Sequence, residues 1–164
     1  MLAMKLFPQT VDIMRSMHMP ADGKTSIVEI LLVEDDRDDY DLMREALEEG
    51  CLNPQITWLD NGEDAVAYLQ QKDSFAVSRT PDLILLDLHL PLMNGHEVLE
   101  VIKTDALLRR IPIVIMTGTN SEEAIRKAYD LHANCCVSKP ADKEQFAAAV
   151  KKIENFWLRV SRRS

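Results

Sequence analysis

No apolar run in this chain approaches the roughly 18 residues that a membrane-spanning helix needs, and the first residues lack the charged-then-apolar order of a secretory signal. The expectation is a cytoplasmic protein, neither embedded nor exported. Positive charge is also scarce, since 27 acidic residues stand against 19 basic ones for a formal net charge of −8. Such a balance repels phosphate backbones and anionic lipid, which argues against nucleic acid or a membrane surface as a direct partner. Cysteine is limited to Cys51, Cys135 and Cys136, an odd count with two adjacent and none in a C-x-x-C spacing. That pattern excludes a zinc or redox motif and reads as reduced thiols. No internal repeat, low-complexity tract or interdomain linker interrupts the sequence.

What is present suits one domain. The chain has 164 residues, 46% of them hydrophobic and 28% charged, enough to bury a single core. Residues 1–26 hold five of the eight methionines together with Pro8, Pro20 and Gly23, and read as a loosely ordered leader in which Phe7, Val11, Met14 and His18 fall at helical spacing. From residue 27 short apolar runs alternate with helical periods. The runs are Ile27–Val33, Ile56–Leu59, Leu83–Leu86, Ile113–Met116 and Cys135–Ser138; the helices are expected at about 37–49, 62–71, 95–104, 121–131 and 142–158. Five βα repeats imply an α/β fold, a parallel sheet with helices on both faces. Residues 159–164 form a short basic tail. Gly50 is placed to close the first helix, Pro81 precedes the third strand, and Thr119 with Glu122 has the spacing of a capping box. Glu122 with Arg126, and Glu123 with Lys127, add (i, i+4) pairs.

In an open parallel sheet, ligands bind beyond the carboxyl ends of the strands. Here those ends are polar: the first run leads into Glu34-Asp35-Asp36, the third into Asp87, the fourth into Thr117-Gly118-Thr119 and the fifth into Ser138-Lys139-Pro140. Glu34, Asp35 and Asp87 brought together repel one another unless a proton or cation compensates. With oxygen ligands and no Cys/His cluster, the cation expected is Mg²⁺ or Mn²⁺. Asp36, Asp38, Asp39 and Asp41 lie near the positive end of the first helix and are read as helix-capping and surface acids. Lys139 can pair with Asp87, Pro140 fixes its loop, and Thr117 offers a hydroxyl beside a glycine that leaves room for an incoming group.

In this order and spacing, Val33-Glu34-Asp35-Asp36, Asp87-Leu-His-Leu-Pro91-Leu-Met-Asn-Gly95, Thr117-Gly118 and Lys139-Pro140 resemble the receiver domain of bacterial response regulators over about residues 27–158. The resemblance implies a doubly wound, flavodoxin-like sheet of order 2-1-3-4-5. It implies Asp87 as phospho-acceptor, Glu34 and Asp35 as acidic metal-site residues, the His89 backbone carbonyl as a further ligand, and Thr117 and Lys139 as the groups that hold the phosphoryl. His89 and Thr119 would flank the water that resets the switch. The run Asn134 to Pro140 and the ending Ile153 to Trp157 look further like the small regulators of phytochrome kinases, so the implied partner is a sensor histidine kinase of that type. Cys136 stands where receivers often carry the rotating Tyr or Phe.

Two other functions compete. A haloacid-dehalogenase-type phosphatase also uses a strand-end aspartate with Mg²⁺ but needs a second Asp two residues on, where this chain has His89. A pseudo-receiver adaptor would keep the fold without phosphorylation, against which the acidic, Thr and Lys set is complete. A DNA-binding output is not expected in the six residues after Leu158, so the chain is read as a stand-alone regulator. Phe146, Val150, Ile153 and Trp157 form one stripe for the sheet, leaving Phe156, with Ala149 and Val160, as an outward apolar edge for a homodimer through the C-terminal helix.

Overall fold

The computed structural model describes residues 27–49, 54–118, 121–139 and 143–155. Along them strands and helices alternate: β1 (Val28–Val33), α1 (Arg37–Glu48), β2 (Pro54–Leu59), α2 (Gly62–Leu69), β3 (Leu83–Asp87), α3 (Gly95–Thr104), β4 (Ile113–Thr117), α4 (Glu122–Asp130), β5 (Cys135–Ser138) and α5 (Lys143–Glu154). The strands pair in parallel in the order β2-β1-β3-β4-β5. That is the expected sheet. None of the helices among the described residues is long and apolar enough to cross a membrane.

Period-two alternation divides the strand side chains between two cores. Leu31, Val33, Ile84, Leu86, Ile113 and Ile115 face α2, α3 and α4, where Leu69, Leu99 and Ala128 meet them. Ile30, Leu32, Leu83, Leu85, Val114 and Met116 face α1 and α5, against Met43, Leu47, Val150 and Ile153. Because both of their faces are covered, the central strands β3 and β4 are near-continuous apolar runs, whereas the edge strand β2 carries Gln55 and Thr57 and is only partly buried.

Local punctuation departs from expectation in several places. Asp36 caps α1 as read, accepting from the amides of Asp38 and Asp39, and the helix ends on Glu49 as its C-cap, one residue before Gly50, which lies outside the described residues. Helix α4 starts from Ser121, whose side chain accepts from the Ala124 amide; Thr119 lies outside the described residues. The reciprocal capping box belongs instead to α3, between Asn94 and Glu97. Neither expected pair on α4 forms among the described residues, while α1 carries Arg37–Asp41 at 3.2 Å and Arg44–Glu48 at 2.8 Å. Exposed pairs of long side chains gain little in water, so spacing alone does not select them.

The C-terminal helix requires a correction. Val150 and Ile153 are buried as the stripe predicts, but Ala149, expected on the outward edge, is buried too. Helix α5 packs along α1 as well as on the sheet, and a small residue at 149 joins that wider buried arc. The Phe146 side chain, Phe156, Trp157 and Val160 lie outside the described residues, as do the leader, the basic tail and Cys51.

Candidate functional site

Register brings the polar strand ends together. Val33 of β1 lies beside Leu86 of β3, Asp87 beside Met116 of β4, and Thr117 beside Ser138 of β5, so the residues that follow emerge on one edge. The Lys139 amide closes the corner by donating to the Thr117 carbonyl at 2.7 Å. Glycine makes a close approach possible at the centre: a Cβ on Gly95 would fall 2.2 Å from the Asp87 carbonyl oxygen, and the Gly95 amide donates to Leu88 O at 2.9 Å. The first turn of α3 therefore presses directly against the end of β3.

Glu34, Asp35 and Asp87 converge, with one carboxylate oxygen of each within 4.8 Å of the others. Glu34 is 1% exposed and Asp87 6%, whereas Asp35 faces solvent. Lys139 Nζ binds Glu34 Oε2 at 2.5 Å, Asp39 Oδ2 at 2.8 Å and Asp87 Oδ2 at 3.2 Å. The other Glu34 oxygen accepts from the Asp36 amide at 3.1 Å, and Asp87 Oδ1 accepts from the His89 amide at 3.2 Å. The His89 imidazole is exposed. Thr117 is fully buried at its strand end. A Cβ on Gly118 would meet nothing within 4 Å, so the space beside Thr117 is open, as the Thr-Gly pair suggests, although packing does not require glycine there. Pro140 lies outside the described residues.

Negative charge predominates at this edge. Burial pushes the Glu34 carboxyl up to about 7, and the Asp87 charge adds to that, against the lowering effect of Lys139 and the Asp36 amide. Burial works the other way on Lys139, but Asp87, Asp39 and Glu34 together outweigh it and hold the ammonium above the ordinary lysine range. Three carboxylates, Glu34, Asp39 and Asp87, share the Lys139 ammonium, and Asp35 adds a fourth negative charge beside them. Fully ionised they sum to −3, and a divalent cation would leave −1. Oxygen donors with an exposed Asp35 side suit a hard cation that keeps several waters.

Two contributors escaped the sequence reading. The position of Asp39 suits helix capping, yet its carboxylate turns to Lys139 from the first turn of α1. The hint was its place three residues after the N-cap Asp36, on the side of α1 nearest the strand ends. Trp58 on β2 donates its indole N–H to the Glu34 carbonyl at 2.7 Å and fixes the acidic turn; it stacks on Tyr40 with ring centroids 4.3 Å apart, and Arg37 lies over both rings. No spacing rule links Trp58 to Glu34. Away from this edge, the Cys135 and Cys136 thiols are buried and pushed by that burial up to about 11 and about 12, so both stay protonated at neutral pH. The Cys136 amide donates to the Tyr129 hydroxyl of α4 at 3.3 Å.

Comparison with known proteins agrees with this geometry. Response regulator Rcp1 of Synechocystis sp. is 40% identical over 129 residues, which cover 79% of this chain and 88% of Rcp1. The structure of the phosphorylated cyanobacterial phytochrome response regulator RcpA superposes with a TM-score of 0.80 at 42% identity, covering 82% of this chain and 96% of RcpA. The Mn²⁺-bound form of Rcp1 superposes with a TM-score of 0.78 at 39% identity, covering 80% and 95%. Residues 30–151 match the response regulator receiver domain, and the chain belongs to that family.

Proposed function

We propose that this chain is a phospho-acceptor of a two-component relay, taking a phosphoryl group on Asp87 from a phytochrome-type sensor histidine kinase and signalling through protein contacts in the cytoplasm. One observation carries the reading: a buried aspartate at a strand end, 3.2 Å from an ammonium, in a cluster whose net charge calls for a cation. Glu34, Asp35 and Asp87, with the His89 backbone carbonyl, would hold Mg²⁺ or Mn²⁺, and Rcp1 with bound Mn²⁺ supports that assignment. The ion would supply positive charge for the oxygens of the transferring group.

The protein's own part is positioning and charge. An Asp87 oxygen forms the O–P bond as the P–N bond of the phosphohistidine breaks, and that bonding pair returns to the imidazole nitrogen. Lys139 offsets charge on the equatorial oxygens, and the Thr117 hydroxyl donates to one of them. The His89 amide keeps Asp87 Oδ1 aligned. The kinase assignment rests on the likeness to RcpA, described as a phytochrome response regulator, and α1 with its adjoining loops, whose first turn borders the acidic cluster, is the expected docking face. A homodimer through the C-terminal helix belongs to the same reading; light scattering on the intact chain and on Phe156→Ser tests it, and a wild-type monomer at tens of micromolar would end it.

Labelling with phosphoramidate, with and without Mg²⁺, tests the central step. Wild type should gain an acid-labile phosphoryl only with the metal, and Asp87→Asn should gain none. Equal labelling of Asp87→Asn would overturn the assignment.

A further inference from the structure

Four large apolar side chains are conspicuously exposed among the described residues: Ile27, Val77, Leu92 and Leu107. Ile27, Val77 and Leu107 precede β1, β3 and β4, so they lie toward the amino ends of the strands. Leu92 alone lies on the site edge, in the turn between Asp87 and α3, and it is 74% exposed.

Its backbone is as unusual as its exposure. Leu92 has φ 66°, and the Met93 amide donates to the Pro91 carbonyl at 2.8 Å across it. A two-residue bond around a positive φ is the strained form of γ-turn, which a branched side chain rarely adopts. The other apolar side chains of the loop, Pro91 apart, turn inward: Leu88 and Leu90 are buried, and Met93 packs against the core. The turn is also pinned. The Gly62 amide donates to the Pro91 carbonyl at 3.5 Å, and a Cβ at position 62 would stand 2.0 Å from Met93 O. On the other side Gly95 is held to Leu88 O. Asparagine or glycine would satisfy this backbone at lower cost, so the fold does not account for leucine at the tip.

Asp87 is 6% exposed at the end of β3, and Leu92 stands exposed in the loop that leads from it to α3. A small phosphodonor can diffuse to Asp87, but a phosphohistidine carried on a protein must be brought in by a surface that closes over the site edge. We propose that Leu92 is a docking and specificity residue, an apolar knob that enters an apolar depression on the protein phosphodonor and sets its register over Asp87. This rests on the reading of Asp87 as phospho-acceptor.

Two donors separate the possibilities: phosphoramidate with Mg²⁺, and the autophosphorylated histidine kinase that transfers fastest to wild type among the host's kinases. Leu92→Asn should lose about tenfold in kcat/KM with the kinase, the usual scale for removing a buried apolar anchor, with the loss in KM. Its labelling by phosphoramidate should stay within about twofold of wild type, its Tm should equal or exceed wild type, and Leu92→Met should retain the kinase rate. Transfer from the kinase to Leu92→Asn at the wild-type rate, or an equal loss with both donors, would overturn the proposal. Wild type that phosphoramidate does not label would instead remove the underlying reading, while labelling by phosphoramidate but by no kinase would remove this proposal alone.

Discussion

Lys139 and Lys103 sit at opposite ends of the same sheet, and burial acts on both in the same direction. Lys103, at the end of α3 by the amino edge, donates to Asn134 Oδ1 at 3.2 Å and to the Arg109 carbonyl at 3.4 Å, and burial lowers it to about 8. Lys139, with three carboxylates around it, is raised in spite of burial. Neutral acceptors satisfy hydrogen bonds without repaying the desolvation of a charge; carboxylates do both. One end of the sheet therefore tolerates an ammonium, and the other requires one. The carboxylates at the second end still exceed their counter-charge, which is the physical basis for cation and phosphoryl chemistry there.

Removing the required charge should have the largest effect. Lys139→Met strands Glu34 and Asp87 beside one another and is expected to cost about 2–3 kcal/mol of metal-free stability, less than a fully uncompensated charge because Glu34 can take up a proton. Urea denaturation at pH 8 checks this, and added Mg²⁺ should stabilise the variant more than it stabilises wild type. An unchanged unfolding midpoint would mean that the lysine is not the counter-charge the geometry describes.

The next effect is on metal affinity. With Glu34 raised to about 7, ligation below that pH must displace its proton, so Mn²⁺ affinity should fall about tenfold per pH unit below 7 and level off above it. Calorimetry between pH 5.5 and 8.5, in buffers of different ionisation enthalpy, should find about one proton released near pH 6 and fewer at pH 8. Glu34→Gln should bind more weakly and lose most of this slope.

The smallest effect belongs to the amino edge. The folded-state value of Lys103 lies below its unfolded one, so the unfolded chain binds the extra proton between about 8 and 10.5, and stability should rise as pH climbs through that window. Lys103→Met should flatten the rise and stabilise the protein at pH 7 by about 1 kcal/mol, discounted for partial exposure. Asn134 Oδ1 would keep the Ile113 amide as donor at 2.8 Å. Thermal melts from pH 7 to 10 test the slope, and a parallel rise in wild type and variant would assign it elsewhere.

Much of this contrast was legible in the chain. Short, largely apolar runs of four to seven residues leading into Glu34, Asp87, Thr117 and Lys139 announce both the sheet and the edge where charge gathers, because a strand buried on both faces is a near-continuous apolar run. The role of Asp39 is not legible in the chain, because capping and site pairing both suit an acid in the first turn of a helix, and only the direction of α1 separates them. Lys103 carries no sequence signal, since nothing in a helical period tells which lysine is half-buried.

By itself the sequence determined the order of the elements, the parallel sheet and which four strand ends bear polar groups. These follow from hydrophobic period and from chain connectivity, which are local. Only the tertiary structure decided that Lys139 faces three carboxylates rather than one, that Trp58 holds the Glu34 carbonyl, that Gly95 is needed for α3 to touch β3, and that Leu92 stands exposed on a strained turn. Each depends on contacts between segments distant in the chain or on a backbone angle that packing imposes, and no period in the sequence encodes either.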